Sequence, residues 1–238
     1  MRKYWLSTHA YFCFTAGQCV WLHVAKDEYF KTSGQQCAHL RDVIEGWSGS
    51  EPDEGYSNST PEGERLAASL FDCGLLTRNA RRGKAASLAQ MEAPLEALIP
   101  DDSTINPEYR WSHICNFIWA CLTTFGSLKL ISMRLALSAL EHKKKRAKRR
   151  EDMTDLERMR RLVAIFFGLR KFIYTARLCC LFDSLVLARF LSLYGYYPML
   201  IIGVHADPFR AHCWLQQGCL TFNSEPEFTK RFTPILTV

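Results

Sequence analysis

Tyr174-Thr-Ala-Arg-Leu-Cys-Cys-Leu-Phe-Asp-Ser-Leu-Val-Leu187 is followed by Ile202-Gly-Val204 and by Pro208-Phe-Arg-Ala-His-Cys-Trp214, and these stretches decide how the chain is read. The first lies in an apolar run, Thr175 to Leu193, which is long enough for a helix and is closed by Gly195. The pattern then changes to short β-rich runs separated by turn residues: Met199 to Val204, Ala211 to Gln216, Cys219 to Asn223 and Pro234 to Val238. A helix followed by an antiparallel meander predicts an α+β arrangement. It also sets Cys180 early on a helix and His212 on a strand 32 residues later. A nucleophilic thiol needs a thiolate-favouring position such as a helix N-terminus, an imidazole to take its proton, and a third group to orient that imidazole. Spacing alone does not separate this from core packing. A Cys-Cys pair on an apolar helix also packs as two small hydrophobes, and His212 beside Trp214 also reads as a core histidine.

Upstream, the chain divides. Residues 4 to 32 read as strands, with a hairpin from His9–Phe14 through Ala16-Gly17 to Cys19–Val24 and an edge strand near Tyr29 to Thr32. Ser33 opens a helix whose Cys37, Leu40, Val43 and Ile44 share one face before Gly46 stops it. Residues 48–63, SGSEPDEGYSNSTPEG, form a polar loop, and Glu64 to Asp72 a short helix with Leu66, Leu70 and Phe71 inward and Gly74 as its C-terminal cap. We therefore expect a first domain over 1–82, a linker rich in Ala, Pro and charge over 83–107, and a second domain over 108–238. The second opens with one long or broken helix, Trp111 to His142. Thr154-Asp-Leu-Glu157 is a capping box for the next helix, which carries Leu162, Ile165, Phe166 and Leu169.

Charge supports two units. Residues 1–107 carry 10 basic and 14 acidic side chains, the remainder 20 and 10, and the whole chain of 238 residues is +6. Ten cysteines without a C-x-x-C pair, mostly inside apolar runs, read as reduced thiols of a cytoplasmic protein. Arg2 and Lys3 are not followed by a signal-peptide core. Scattered histidines complete no zinc pattern, so no metal is expected. Trp111 to Leu128 lacks Lys, Arg, Asp and Glu, but its polar residues argue for a buried or membrane-touching helix rather than a span. KKKRAKRR, residues 143–150, reads first as a solvated helix end. Contact with an acidic lipid surface or an acidic protein partner is the alternative; no stacking motif or recognition fingerprint supports nucleic acid.

The C-terminal stretches resemble the signature of lasso-peptide maturation B proteins, transglutaminase-like cysteine peptidases of the microcin-processing type, in C-L-x-D-S-L around Cys180 and P-F-x-A-H-x-W around His212. The resemblance implies Cys180 as nucleophile, His212 as general base and acid, and Asp183-Ser184 as motif neighbours, in a transglutaminase- or papain-like domain. Residues 4–47, with YWLSTHAYFC, CVWLHV, DEYF and IEGW, resemble the small winged-helix-like leader-recognition module fused to the front of such proteins. That implies leader capture by β-augmentation on the edge Glu28, Tyr29, Phe30, Lys31 and Thr32, with a groove wall including Leu66 and Leu70.

One position departs from the family. It places an aspartate twelve residues after the histidine, in an Asn-Asp pair, where this chain has Asn223-Ser224. Asn223 could supply a carbonyl, Ser224 a hydroxyl, or Glu225 could swing in. The family implies a leader peptidase that cleaves the precursor so that a partner, an asparagine-synthetase-like cyclase, closes the macrolactam. This chain has no P-loop, so no cofactor is expected on it and ATP is expected on the cyclase. The rival expectation is a non-catalytic leader-binding chaperone or adaptor for the cyclase.

Overall fold

The computed structural model describes residues 4–48, 61–99, 108–131, 133, 137, 156–174 and 180–238. The central part of the acidic loop, the basic run 143–150, the first two residues of the Thr154 capping box, and Cys179 lie outside the described residues. The chain forms two compact units: Met1–Gln90 with Gly203–Ala211 and Thr233–Leu236, and Met91–Ile202 with His212–Phe232 and Thr237–Val238.

The first unit is mostly strands. β1 (Trp5–Ser7) is followed by β2 (Ala10–Thr15), β3 (Gln18–His23) and β4 (Glu28–Ser33), and the last three form an antiparallel sheet in the order β2-β3-β4. Ala16 and Gly17 both have positive φ (49° and 72°), the geometry whose twist suits a two-residue hairpin, and Thr15 pairs with Gln18 across them. β4 lies at the sheet edge, as its sequence suggested. β1 is the middle strand of a second small sheet, with β5 (Leu76–Thr77) and β6 (Gly83–Lys84) antiparallel on either side. Its helices are α1 (Gly34–Ala38) and α2 (Pro61–Asp72). Gly74, at φ +81°, ends α2 in the left-handed conformation that glycine adopts without strain, and Leu75 N–H then bonds Leu70 O. The core joins Leu6, Phe12, Trp21, Cys37, Leu40, Ile44, Leu70 and Leu75, with the Trp47 ring stacked on Phe12 at 4.7 Å.

Two sequence expectations change here. The helix opened by Ser33 stops at Ala38 instead of running to Gly46. Leu40, Val43 and Ile44 are buried as their spacing implied, but the backbone beyond them is recruited by Tyr4. Tyr4 N–H bonds Val43 O, and Glu45 N–H bonds Tyr4 O. The stretch read as a linker is also structured. Gly83–Lys84 pairs with β1, Ala86 enters the first core, and β7 (Glu96–Ala97) pairs in parallel with a strand of the second unit. Short strands of two residues carry no periodicity that a sequence reading can detect.

In the second unit α3 (Trp111–Gly126), α4 (Leu156–Arg170) and α5 (Cys180–Ser192) meet through Phe117, Phe166 and Phe190, whose ring centroids are 5.5–6.4 Å apart. The long helix expected over 111–142 is regular only to Gly126, then passes into a π-turn, Ser127–Ile131. α3 buries Phe117, Ala120 and Thr124 and exposes Trp111, Ile118, Trp119, Leu122 and Phe125. Among the described residues no helix is long and apolar enough to cross a membrane. β8 (Met199–His205), β9 (Arg210–Gln217), β10 (Leu220–Thr221) and β11 (Thr233–Thr237) complete a five-stranded sheet in the order β11-β8-β9-β10-β7, with α6 (Pro226–Thr229) before the last strand. β10 runs antiparallel to β9. The architecture is mixed α/β, as the helix-then-meander reading required.

Candidate active site

Cys180 is the first residue of α5, half-buried, where the unpaired N–H groups of a helix's first turn present the positive end of its dipole. Asp183 and Ser184 follow in the same helix and are buried, at 1% and 0% exposure. The Asp183 carboxylate is held from three elements. Arg170 Nη1, at the end of α4, donates to both oxygens at 3.1 Å; Tyr174 donates its hydroxyl to Oδ1 and Asn223 its Nδ2 to Oδ2, each at 3.1 Å. Removing any one of these partners would leave a buried charge under-satisfied, which costs several kcal/mol, about 3–5 for a broken buried pair.

Ser184 ties the cysteine helix to the histidine strand. Its hydroxyl donates to Cys213 O at 2.9 Å and accepts from Asn223 Nδ2 at 2.9 Å. Asn223 Oδ1 in turn accepts Leu215 N–H at 2.9 Å. The motif neighbours of the sequence reading thus set the register of α5 against β9, through the carbonyl of the residue that follows His212.

His212 lies on β9 with its ring stacked over Trp214 (5.8 Å, 17°) and against Phe228 (5.0 Å) and Phe232 (5.3 Å). Its Nε2 is 2.9 Å from Ser224 Oγ. Ser224 is itself buried, and its carbonyl accepts from Thr221 Oγ1 at 2.6 Å. Burial in this aromatic pocket pushes His212 down to about 4, and the charge of Asp183 acts in the opposite direction. The imidazole is therefore neutral near neutral pH, free to accept a proton.

Of the three candidates for the orienting group, the structure puts only Ser224 on the ring. Asn223 is adjacent in sequence, but its amide is spent on Asp183, Ser184 and Leu215. Glu225 is the residue that caps α6. Asn223 and Ser224 both lie in the bend after β10, and their side chains go to different partners.

Burial raises several other thiols: Cys13 is pushed up to about 12 and Cys121, by burial and then by Asp183, to about 11, and Cys213 rises as well. Cys37, by contrast, is lowered, first by its hydrogen bond with Cys19. No group of three or more His, Cys, Asp or Glu among the described residues could hold a metal.

A family model described as the Transglutaminase-like superfamily matches residues 117–237, the stretch that holds Cys180, His212 and Ser224. The chain belongs to the transglutaminase-like superfamily. No curated protein and no solved structure matches it significantly. That family includes cysteine peptidases and transglutaminases, and the fold of residues 117–237 is of that cysteine-peptidase-like kind.

The leader-binding expectations fall in the first unit. Along β4, Phe30 packs on the core and Thr32 accepts a hydrogen bond from Trp21 Nε1 at 2.9 Å, so both face inward. Tyr29 and Lys31, on the alternate face, meet Phe209, and Lys31 Nζ donates to Ala206 O at 2.7 Å, all within the same unit. Glu28 is exposed at the start of the strand. On α2, Leu70 is buried in the core and Leu66 is packed against it. Sequence reasoning gave no role to Arg170 or Tyr174. A basic residue in the last turn of a helix looks like an ordinary partner of the helix dipole, and nothing local marks it as the partner of a carboxylate 13 residues later.

Proposed function

We propose that the chain is a leader peptidase of lasso-peptide biosynthesis, and the observation that carries this reading is the His212 Nε2–Ser224 Oγ contact of 2.9 Å on a strand that Ser184 ties to the helix headed by Cys180. A neutral imidazole with Nε2–H donated to Ser224 leaves Nδ1 as the nitrogen that takes the Cys180 thiol proton. The thiolate then attacks the scissile carbonyl, and the tetrahedral adduct collapses as His212 returns the proton to the leaving amine. The C–N bond breaks, leaving the leader as a thioester on Cys180 and the core peptide with a free N-terminal amine. Water, deprotonated by His212, hydrolyses the thioester. The free amine is the group that a partner cyclase, asparagine-synthetase-like and carrying ATP, joins to a side-chain carboxyl.

In this reading the N-terminal unit is the winged-helix-like leader-recognition module. The leader adds as a strand along β4, so that main-chain bonds supply affinity and the exposed side of α2 supplies choice. Phe30, Thr32 and Leu70 point inward, and Tyr29 and Lys31 already meet Phe209 and Ala206, so the side chain of that edge that a leader strand would meet first is the exposed Glu28. The serine at position 224 keeps a second reading in play, a leader-binding chaperone without peptidase activity. Incubating the full chain with precursor, cyclase and ATP separates the two: release of leader that requires Cys180 supports the peptidase, and leader binding without release supports the chaperone.

A further inference from the structure

The carboxylate that the family resemblance places beside the catalytic histidine has two jobs. It fixes the ring's tautomer and orientation, and its charge stabilises the imidazolium once the thiol has given up its proton. A serine hydroxyl does the first job only. A second anion inside the site is needed for the other job.

Among the described residues one carboxylate is fully buried, and it is Asp183. It lies three residues after Cys180 on the first turn of α5. It is linked to both flanks of His212. On one side it bonds Asn223, the neighbour of Ser224; on the other, Asn223 and Ser184 lead to the carbonyl of Cys213. Both of its oxygens act as acceptors, as an ionised carboxylate does. We propose that the triad's third member is divided in this chain: Ser224 orients His212, and Asp183 is the buried anion that stabilises its protonated ring when Cys180 becomes the thiolate. Asp183 is thus a positioning residue with an electrostatic task, and the proposal rests on the peptidase reading of the same site.

The surroundings favour this division. The faces of the pocket around His212 are Trp214 on its own strand and Phe228 and Phe232 from α6 and the turn after it, none of which carries charge. The titratable groups around Asp183 are Arg170 at the end of α4, Tyr174, Cys121 on α3 and Cys213 on β9, besides His212 itself. Burial, then Asp183, push Tyr174 up. Arg170 is the cation on Asp183, and its side chain is 17% exposed against 2% for the carboxylate. Water therefore screens the cation more than the anion, and the pair leaves a net negative field inside the site. The effect of Asp183 on His212 is in the required direction, upward against the lowering by burial.

The test uses the full-length protein in four forms: parent, Asp183→Asn, Arg170→Gln, and the double variant Asp183→Asn with Ser224→Asp. Two readouts need no precursor: the His212 titration by NMR of its ring protons, and the pH dependence of Cys180 alkylation by iodoacetamide, mapped by mass spectrometry. Asp183→Asn should lower the His212 titration and slow leader cleavage by about tenfold or more, since one pKa unit is a factor of ten in imidazolium. Arg170→Gln should raise it, and the double variant should return titration and rate towards the parent. Opposite shifts from Asp183→Asn and Arg170→Gln cannot arise from a shared loss of packing. A His212 titration indifferent to Asp183→Asn in folded protein, shifts of the same sign in the two single variants, or no recovery in the double variant would overturn the proposal. If Asp183→Asn fails to fold, the sign of the Arg170→Gln shift decides alone. If His212 responds as expected but no form cleaves a precursor, the peptidase reading falls and the electrostatic assignment stands.

Discussion

In the first unit the interior is built from rings and sulfur: Phe12, Trp21 and Trp47 stack, and Cys19 and Cys37 pack beneath β4 beside the Thr32 hydroxyl, 3.1 Å from Cys37 Sγ. In the second unit the interior around β9 and α5 holds Asp183, Ser184, Gln216, Thr221 and Ser224, each buried and each hydrogen-bonded. Both units bury cysteine. In the first, burial pushes Cys13 and Cys19 up, which makes their thiols unreactive packing groups. In the second, a half-buried cysteine heads a helix whose next turn is bonded to a histidine-bearing strand. An apolar interior is sufficient for a stable module; a buried polar network is costly to assemble, and that cost is accepted where orientation matters.

The comparison breaks first at Cys180. Cys180→Ala should abolish leader release, a loss of at least about a thousandfold, while circular dichroism and leader binding stay unchanged. Cys179→Ala should retain most activity. Equal loss in both variants, with folded protein confirmed, would remove the distinction between the two adjacent thiols.

The second contrast sets a core residue against a site residue. Trp21→Ala empties the centre of the first core and should cost about 3–5 kcal/mol in denaturant unfolding. Ser224→Ala should cost about 1 kcal/mol but slow cleavage more than it weakens the fold, because His212 loses its orienting partner. A Ser224→Ala protein as fast as the parent would deny the hydroxyl any part in the reaction.

The third asks whether the N-terminal segment of the first unit captures the leader by itself. A fragment of residues 1–90 should bind the leader peptide without cutting it, measured by fluorescence anisotropy. The fragment needs residues 83–90, since Gly83–Lys84 pairs with β1 and Ala86 is in the core. A leader that binds only to the remainder of the chain would reverse the assignment.

What was legible in the sequence follows from the range of the signals. The β2–β3 hairpin, the edge strand β4 and the Gly74 cap were readable because alternation and turn residues act within a few positions. The helix at Cys180 and the strand at His212 were readable for the same reason; their pairing rests on the family motif. Contacts set by distant residues were not. Tyr4 claims the backbone after Val43, Glu92 O accepts from Gln216 Nε2 at 2.7 Å, and Arg170 finds Asp183 across two helices. At the site, Asn223, Ser224 and Glu225 stood as equal candidates, because the bend after Thr221 that brings Ser224 to His212 carries no local pattern.

A smaller effect tests the aromatic pocket through pH. His212 is held below its ordinary value of 6.5, at about 4. The unfolded chain therefore binds a proton between these values that the folded chain does not. Stability contributed by the neutral ring is present above pH 6.5 and is lost as pH falls towards 4. Burial lowers His23 and His113 too, so they act in the same direction. The melting temperature should decline over that window, and His212→Gln should flatten part of the decline. An unchanged slope in that variant would mean that the ring is not desolvated as its stacking on Trp214 implies.

The smallest expected change is also the one that compares this chain most directly with the proteins its motif resembles. Ser224→Asp puts a carboxylate 12 positions after His212, where the resemblance expects one. The side chain is longer by one bonded atom than that of serine, at a buried position. The carboxylate would accept Nε2–H from His212 as the hydroxyl does and add a negative charge beside the ring, raising His212 from about 4. Cleavage should then be at least as fast as in the parent, with the acid limb of its pH profile moved upward. Asn223→Ala supplies the contrast, since Asn223 touches Asp183, Ser184 and Leu215 but not the ring. It should slow cleavage with a loss of stability and leave the position of the acid limb nearer the parent's than Ser224→Asp does. If instead Asn223→Ala moves the limb and Ser224→Asp does not, the ring takes its orientation from the amide in solution, and the division of roles between these two neighbours is the reverse of the one drawn from their hydrogen bonds.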